Sequence, residues 1–270
     1  MKATQAAADA KQKFDNNGQY SRDSILRYEK IFGDNYISTG GAETTENLFS
    51  RLEGWIKPGM RVLDVGSGSG GAAFDLVKRY DAKVTGIDLA EEMVAVGHDR
   101  AKTAGMSDKV DFILGDVLKT DFPAKFDLAW SRDAFMHVPD KAALFSKLFS
   151  LLVDGGKLII TDYARGKTPA SPEFEEYIRN TGYSVIEPAQ YGKVLEAAGF
   201  TDVIVDDATA TFVDILERES KRLRDHRQEF LKVFSEKDLD YLVDRWAMKE
   251  RFCAAGDMKW GIYLATRPAV

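Results

Sequence analysis

Apolar residues along the chain form short runs that alternate with segments of helical spacing. Between the runs, apolar residues recur every three to four positions, as in helices packed on a sheet. The alternation predicts an α/β fold with a doubly wound, parallel sheet. The runs suit strands buried on both faces, and they occupy positions 62–65, 83–89, 110–117, 126–133, 156–163 and 200–207.

A glycine-rich stretch follows the first of these strands. It reads R-V-L-D-V-G-S-G-S-G-G from Arg61 to Gly71, and a predicted helix comes next. Glycine lets a ligand approach the backbone closely, and a helix start presents free N–H groups. Gly66, Gly68 and Gly71 fit the dinucleotide motif G-x-G-x-x-G and also the looser loop of enzymes that use S-adenosylmethionine (SAM). The stretch therefore leaves both cofactors open, beside an ordinary strand-to-helix turn.

The alternating pattern ends after the sixth predicted strand. Two longer amphipathic segments at about 212–234 and 239–251 predict helices, and the apolar run 259–267 predicts a last strand. The common dehydrogenase order has no late strand after helical insertions. SAM-dependent methyltransferases, in contrast, place a seventh strand antiparallel between the fifth and the sixth. The order of elements therefore favours a class I methyltransferase fold, with a Rossmann-like seven-stranded sheet.

The segment 12–52 precedes the first core strand and predicts two helices. Ser21 is placed to cap a helix that carries Ile25 and Phe32 on one face, and a second helix is predicted at about 43–54. Helices in this position often lie across the ligand-bearing edge of an α/β sheet as a lid. The alternative is a helical extension of the core.

The length and composition predict one domain. A chain of 270 residues with 44% hydrophobic content can bury one substantial core. We therefore expect a single SAM-dependent methyltransferase domain over 1–270. Its expected parts are an N-terminal lid at 12–52, a SAM-binding core at 60–207, a helical insertion at 210–255 and a last strand at 258–267.

Charge and cysteine content narrow the classes of partner. The chain has 37 basic and 43 acidic side chains, a net charge of −6, so we expect no nucleic acid or membrane partner. Cys253 is the single cysteine, which excludes an internal disulfide and suits a reducing cytoplasm. No apolar run approaches the roughly 20 residues needed to span a bilayer. No Cys/His cluster has metal-ligand spacing, so no metal is expected. We expect a cytoplasmic monomer.

Acidic residues end the second and third predicted strands. Ligands of open α/β sheets bind outside the carboxyl ends of the strands. Asp88 lies about 20 residues after the glycine loop, where a carboxylate can accept hydrogen bonds from ribose hydroxyls. Asp116 is placed to accept from an adenine amino group, with Val117 packing on the ring. Two isolated surface aspartates are the alternative.

The end of the fourth predicted strand carries a dense polar motif. The stretch S-R-D-A-F-M-H contains Arg132, Asp133 and His137. Neutral imidazole, with a reference pKa of about 6.5, is suited to removing a proton at physiological pH. His137 is therefore the candidate general base, and a structural histidine is the alternative. Tyrosines surround the same rim and could hold a cation or an oxyanion: Tyr20, Tyr28, Tyr36, Tyr163 and Tyr183.

The chain resembles the phosphoethanolamine N-methyltransferases along nearly its whole length. General class I methyltransferases share only the glycine loop and the two strand-end acids, so motifs outside these carry the resemblance. These motifs are N-N-G-Q-Y-S (16–21), F-G-D-N-Y-I-S-T-G-G (32–41), S-R-D-A-F-M-H (131–137), I-T-D-Y (160–163) and K-W-G-I-Y-L-A-T (259–266).

The resemblance implies roles for three groups of residues. Tyr20 and His137 are implied as the catalytic pair, in which the lid tyrosine closes over the amine. The residues implied to bind SAM are Ile37, Ser38, Gly66, Gly68, Asp88, Leu89, Asp116, Val117 and Arg132. Those implied to bind the acceptor, a phosphorylated amino alcohol, are Gln19, Tyr28, Ser38, Asp133, Tyr163, Tyr183 and Lys249.

One departure from the family pattern leaves the acceptor open. The family has an arginine for the phosphate two residues before the tyrosine that matches Tyr183, and this chain has Thr181 there. Arg179 is on a different helical face, and a lost guanidinium is not a conservative change for phosphate. A glycine- or sarcosine-type N-methyltransferase is therefore the alternative. A NAD-dependent dehydrogenase and a SAM-binding module without turnover remain further alternatives.

Overall fold

The computed structural model describes residues 21–269, which form a mixed sheet of seven strands in the order β3-β2-β1-β4-β5-β7-β6. The five strands β1 to β5 pair in parallel, and β7 lies antiparallel between β5 and β6. This confirms the predicted class I methyltransferase order. The strands are β1 Arg61–Val65, β2 Lys83–Asp88, β3 Val110–Leu114, β4 Phe126–Arg132, β5 Leu152–Arg165, β6 Thr201–Asp207 and β7 Met258–Thr266.

Helices flank the sheet and precede the first strand. Serine side chains accept a backbone N–H at the starts of α1, α6 and α10, which satisfies donors that have no partner within the helix. A single 3-10 turn, Phe135–His137, follows β4. The helices are α1 Arg22–Phe32, α2 Gly41–Ser50, α3 Gly71–Tyr80, α4 Glu91–Thr103, α5 Lys141–Leu151, α6 Pro172–Thr181, α7 Pro188–Ala197, α8 Thr209–Asp225, α9 Arg227–Phe230 and α10 Glu236–Ala254.

Several boundaries differ from the sequence prediction. The apolar pattern did not predict helix α6, because few of its residues are buried. Its ends carry ordinary signals: Ser171 caps the start, and Gly182 ends the helix with a φ of 67°. The segment 212–234 is two helices rather than one, since the backbone at His226 leaves helical geometry. The second lid helix spans 41–50 rather than 43–54, starting after a left-handed Gly40.

The sheet buries a cluster of apolar side chains on each face. Alternation along β1 places Val62 in one cluster and Leu63 in the other. The first cluster also holds Leu48 of α2, Phe212 of α8 and Trp246 of α10. The N-terminal helices and the helical insertion therefore cover the same face together. Within the part of the chain that is described, no helix has the length and apolar character to cross a bilayer.

Candidate active site

One cavity lies at the carboxyl ends of β1 to β5, beneath the α1–α2 segment. Every implied site residue within the described range lines it, so residues that are far apart in the sequence meet there. These residues are Tyr28, Ile37, Ser38, Gly66, Gly68, Asp88, Leu89, Asp116, Val117, Arg132, Asp133, His137, Tyr163, Tyr183 and Lys249. Two further implied residues, Gln19 and Tyr20, lie outside the described residues.

The glycine loop is in close contact with neighbouring segments. Gly66 and Gly68 have φ values of 71° and 54°, a region that favours glycine. A Cβ on Gly66 would lie 2.4 Å from the Ala134 side chain, and one on Gly68 would lie 2.9 Å from the Ile37 side chain. Side chains at these two positions would clash, so glycine allows the loop to fold against both neighbours while its backbone lines the cavity.

Asp88 is oriented by backbone donors on each side. Its two carboxylate oxygens accept hydrogen bonds of 2.9 Å from the N–H groups of Gly68 and Ala90. Burial raises the pKa of this carboxyl, and the backbone donors oppose that rise. Each oxygen of a carboxylate can accept a second hydrogen bond, which leaves capacity for two hydroxyl groups of a ligand.

Asp116 follows β3, and its side chain is 28% exposed. One oxygen accepts from the Leu118 N–H at 3.0 Å, and the other lies 3.2 Å from the Nζ atom of Lys119. Val117 is buried and lines the cavity beside it. The pair thus presents one polar and one apolar surface at the end of the cavity.

Asp64 is a cavity residue that the sequence analysis missed. It is 2% exposed in β1, and its Oδ2 atom has no hydrogen-bond partner among the described residues. Burial, and then the charge of Asp88, raise the pKa of this carboxyl to about 7. The available signal was a charged residue inside an otherwise apolar strand, two positions before the first glycine. A buried carboxylate of this kind is costly unless a cation or donor satisfies it.

Arg132 links the end of β4 to the segment before α2. Its guanidinium donates hydrogen bonds to the carbonyls of Thr39 and Gly41 and to the Thr45 hydroxyl, all between 2.6 and 2.7 Å. The Nε atom is buried without a partner among residues 21–269. Arg132 therefore positions the segment that carries Ile37 and retains one donor near the cavity.

Asp133 has a backbone conformation that is uncommon outside glycine, with a φ of 49°. Its Oδ1 atom accepts from the Thr161 hydroxyl at 2.9 Å and from the Trp260 indole N–H at 2.8 Å. Its Oδ2 atom is buried and has no partner in the described part of the chain. Strain of this kind occurs at functional sites. The arrangement offers a carboxylate oxygen to a cationic ligand.

His137 ends the 3-10 turn and lines the cavity. Its ring meets the Tyr183 ring edge to face, with 5.1 Å between the ring centres and an angle of 87°. The ring is thus oriented by a neighbour that also lines the cavity.

A buried pair of charges holds this turn. Asp162 accepts from the backbone N–H of Met136 at 3.0 Å, and Lys141 donates to the carbonyls of Phe135 and Val138 at 2.7 Å each. Burial raises the pKa of Asp162 to about 7. Because these bonds reach both sides of His137, the pair determines where the imidazole lies.

Lys249 and Tyr163 form the far end of the cavity. The Nζ atom of Lys249 donates to the Tyr163 hydroxyl at 2.7 Å, and the Thr39 hydroxyl lies 3.5 Å from the same oxygen. Lys249 is 5% exposed, and burial lowers its pKa to about 7, with a further contribution from the charge of Arg245. This end of the cavity therefore offers hydrogen bonds from an ammonium group and from hydroxyl groups.

Arg245 is a second residue that the sequence analysis missed. It lies one helical turn before Lys249 on α10 and lines the same cavity. Its guanidinium donates to the hydroxyls of Tyr241 at 2.9 Å and Tyr183 at 3.4 Å. The signal available was its position four residues before Lys249, which places two helical residues on one face.

The residues near the family's expected arginine do not reach the cavity. Thr181 borders an outer groove, and its hydroxyl donates to the Tyr177 carbonyl at 2.8 Å. Arg179 is exposed on α6 and lines neither the cavity nor the groove. Neither residue supplies a guanidinium to the site.

Comparison with known proteins places this geometry in a wider context. The family model of the methyltransferase domain matches residues 56–199. Phosphoethanolamine N-methyltransferase 1 of Arabidopsis thaliana is 41% identical over 95% of this chain and 52% of its own length. The phosphoethanolamine N-methyltransferase of Plasmodium falciparum is 36% identical over 94% of this chain and 95% of its own length. The chain therefore spans about half the length of the plant relative and nearly all of the Plasmodium protein.

Solved structures agree with the family comparison. Phosphoethanolamine N-methyltransferase 2 of Haemonchus contortus, in complex with phosphomonomethylethanolamine and S-adenosylhomocysteine, matches with a TM-score of 0.92 and 32% identity. The match covers 96% of this chain and 60% of that one. A putative sarcosine dimethylglycine methyltransferase from Galdieria sulphuraria has a TM-score of 0.81 at 21% identity, a likeness of fold alone.

Proposed function

Because the chain belongs to the phosphoethanolamine N-methyltransferase family, we propose that it transfers methyl groups from SAM to phosphoethanolamine and its mono- and dimethyl forms. One observation carries the proposal. A single cavity presents an Asp133 oxygen that has no partner among residues 21–269, the imidazole of His137, and the donors of Lys249. An acceptor with an amine at one end and a phosphate at the other matches this combination of carboxylate, base and cation.

One end of the cavity fits SAM, the methyl donor, and is called the donor end: it is formed by Asp64, the glycine loop, Asp88 and Asp116. The Oδ2 atom of Asp64 is buried without a described partner, and an ammonium group such as that of the methionine moiety would satisfy it. Asp88 has acceptor capacity for both ribose hydroxyls, and Asp116 with Val117 fits adenine. The Nε atom of Arg132, which has no partner within the described part of the chain, fits a carboxylate. When bound, SAM supplies an electrophilic methyl group on its sulfonium.

The protein's chemical task at the amine is to remove a proton. A primary amine with a pKa near the lysine reference of about 10.4 is almost wholly protonated at pH 7 and has no lone pair to offer. Asp133 orients the ammonium through Oδ2, and His137 accepts the proton that leaves nitrogen. The neutral amine could then take the methyl group in line, forming the N–C bond as the S–C bond of SAM breaks and S-adenosylhomocysteine leaves. Tyr20, outside the described residues, is proposed to hydrogen-bond to His137.

The phosphate end orients the acceptor. Lys249, as a cation, and the Tyr163 hydroxyl provide donors to an anion. Holding the phosphate there fixes the distance of the amine from His137. Tyrosine faces around the amine suit the methylated cation that forms with each transfer. Up to three transfers are possible before the nitrogen has no proton to lose.

A panel of acceptors tests the proposal. Transfer of a radiolabelled methyl group from SAM is measured with phosphoethanolamine, its mono- and dimethyl forms, free ethanolamine, glycine and sarcosine. We expect turnover of the phosphorylated amines and little of the other three, with mass spectrometry of the products counting the methyl groups added. Faster turnover of glycine or sarcosine than of phosphoethanolamine would replace the proposed acceptor with a carboxylated amine.

We further propose that the enzyme acts as a monomer in the cytoplasm. The single cysteine supports a reducing compartment. Sedimentation of the purified protein with SAM present measures the state of assembly, and a dimer mass would contradict the first part. Imaging of a tagged protein in its own cell tests the second part.

A further inference from the structure

Two cations lie one helical turn apart on α10 and face the same cavity. Arg245 and Lys249 are four residues apart, which places them on one side of the helix. Within residues 21–269 their side-chain hydrogen bonds go to the hydroxyls of Tyr241, Tyr183 and Tyr163, and none goes to a carboxylate. The two positive charges therefore lack a paired anion at this end of the cavity.

The proximity of these cations is costly without an anion. The charge of Arg245 lowers the pKa of Lys249 beyond the effect of burial, which shows that the two positive charges repel each other. The negative charges of Asp133 and Glu219 oppose this effect to a smaller extent, and Glu219 already accepts hydrogen bonds from the Gly40 N–H and the Trp246 indole. A ligand with two negative charges would offset the repulsion of both cations at once.

Arg245 also stands at the border between the cavity and the outside. An outer groove adjoins the cavity, and three residues line both: Tyr28, Tyr183 and Arg245. Thr181 also lines this groove. A longer side chain at position 181 could therefore reach the region that the Arg245 guanidinium now occupies.

We propose that Arg245, with Lys249, binds the anionic group of the acceptor and supplies from α10 the guanidinium that is missing at position 181. The inference rests on the proposed function, whose acceptor is a phosphomonoester. A guanidinium presents paired donors that match two phosphate oxygens, while the ammonium of Lys249 adds a point charge. Two cations match a dianion better than a singly charged carboxylate. Arg245 thus favours phosphorylated amines over amino acids.

Calorimetry tests the inference by binding, without turnover. Phosphoethanolamine is titrated into the protein loaded with S-adenosylhomocysteine, for wild type and for Arg245→Gln, and methyl transfer is measured in parallel. We expect Arg245→Gln to weaken binding about 30-fold, the loss of a charge-assisted pair, with S-adenosylhomocysteine affinity unchanged. Arg245→Lys should lose less affinity than Arg245→Gln, because lysine keeps the positive charge but lacks the paired N–H donors of the guanidinium.

A matched control and a relocation separate anion recognition from packing. Arg27→Gln removes another arginine of the outer groove, which pairs with Asp238 at 3.2 Å, and it should bind like wild type. Thr181→Arg added to Arg245→Gln should restore at least a tenfold part of the lost affinity. A double variant that binds phosphoethanolamine as weakly as Arg245→Gln would overturn the inference that Arg245 replaces an arginine at position 181.

The outcomes for Arg245 and for the proposed function are distinct. Turnover of phosphoethanolamine by wild type with equal binding in Arg245→Gln would overturn the inference and leave the function intact. Arg245-dependent binding without turnover in wild type would support the inference and overturn the function. Absence of binding by wild type would overturn both.

Discussion

The donor end of the cavity, formed by Asp64, the glycine loop, Asp88 and Asp116, is held mainly by nearby backbone groups. Asp88 accepts from N–H groups within 20 residues of itself, and Asp116 from one two residues away. The acceptor end is formed by Asp133, His137, Tyr163, Arg245 and Lys249. There, Trp260 donates to Asp133 across 127 residues, and Lys249 donates to Tyr163 across 86.

The contrast concerns charge as well as sequence distance. At the donor end, the Oδ2 atom of the buried Asp64 carboxyl has no partner among residues 21–269. At the acceptor end, the side-chain hydrogen bonds of Arg245 and Lys249 in the same range go to tyrosine hydroxyls and not to a carboxylate. Each end is therefore incomplete in a way that a ligand of opposite charge would complete. We therefore expect substitutions at the donor end to change the affinity for SAM, and substitutions at the acceptor end to change the affinity for phosphoethanolamine.

The largest effect that is confined to one end of the cavity is expected for His137. His137→Ala should lower kcat about 1,000-fold by removing the general base, while SAM affinity stays at the wild-type value. Single-turnover methyl transfer and equilibrium dialysis with SAM measure the two quantities. His226→Ala, which changes an exposed histidine beside Glu229, serves as the control and should be fully active. Activity of His137→Ala equal to that of the control would exclude the imidazole as base.

The second largest effect is expected for a substitution at the donor end. Asp88→Asn should weaken SAM about 100-fold, because charge-assisted hydrogen bonds to hydroxyls each contribute about 1.5–3 kcal/mol. The affinity for phosphoethanolamine should hardly change. Asp111→Asn alters an exposed carboxylate of β3 and is the matched control. Equal losses for SAM and phosphoethanolamine would contradict the separation of the two ends.

At the acceptor end, Asp133→Asn is expected to raise the KM for phosphoethanolamine about 30-fold without altering SAM affinity. The amide keeps the shape of the side chain, but it removes the negative charge that meets the ammonium. Asp202→Asn is a close control, since Asp202 is also an aspartate with a positive φ, at 50°, but is exposed on β6. An unchanged KM in Asp133→Asn would assign the carboxylate to backbone structure alone.

The smallest expected effect is a pH dependence of acceptor binding. Lys249 has a pKa of about 7, so it is a cation below that pH and becomes neutral as the pH rises through it. Phosphate is already a dianion above its second pKa of about 6, so binding should weaken about fivefold from pH 6.5 to 8.5. Calorimetry of phosphoethanolamine binding across this range measures the trend.

Lys249→Arg provides the control for that trend, because a guanidinium stays charged throughout. Its binding should be nearly independent of pH over the same interval. A wild-type affinity that stays flat, or that rises with pH, would show that Lys249 does not titrate in contact with the phosphate.

Much of the donor end was predictable because its residues are neighbours in sequence. The glycine loop, Asp88 and Asp116 each follow an apolar run, and the ends of parallel strands meet at one edge of a sheet. Asp64 was missed although it lies in the same motif, since a polar residue within a buried strand is read as part of the strand. That its Oδ2 atom has no partner among the described residues became visible only in the folded structure.

The acceptor end was less predictable from pattern. The strand-end motif indicated Asp133 and His137, and the tyrosine cluster indicated Tyr163 and Tyr183, whereas Lys249 came only from the family resemblance. The apolar pattern did not indicate helix α6, and only the structure showed that neither Thr181 nor Arg179 lines the cavity. Arg245 looked like one of many charged residues on an amphipathic helix. Only the packing of α10 over the sheet turned it toward Tyr183.

The sequence by itself determined the succession of strands and helices and the location of the glycine loop, because periodicity and glycine spacing act over a few residues. The antiparallel place of the last strand was expected from the order known for class I methyltransferases. The tertiary structure decided which polar atoms lack partners and which cations share a cavity. Those properties depend on contacts such as Trp260 with Asp133 and Lys249 with Tyr163, which join residues far apart in the chain. Burial then sets their charge states, as the pKa of about 7 for Lys249 illustrates.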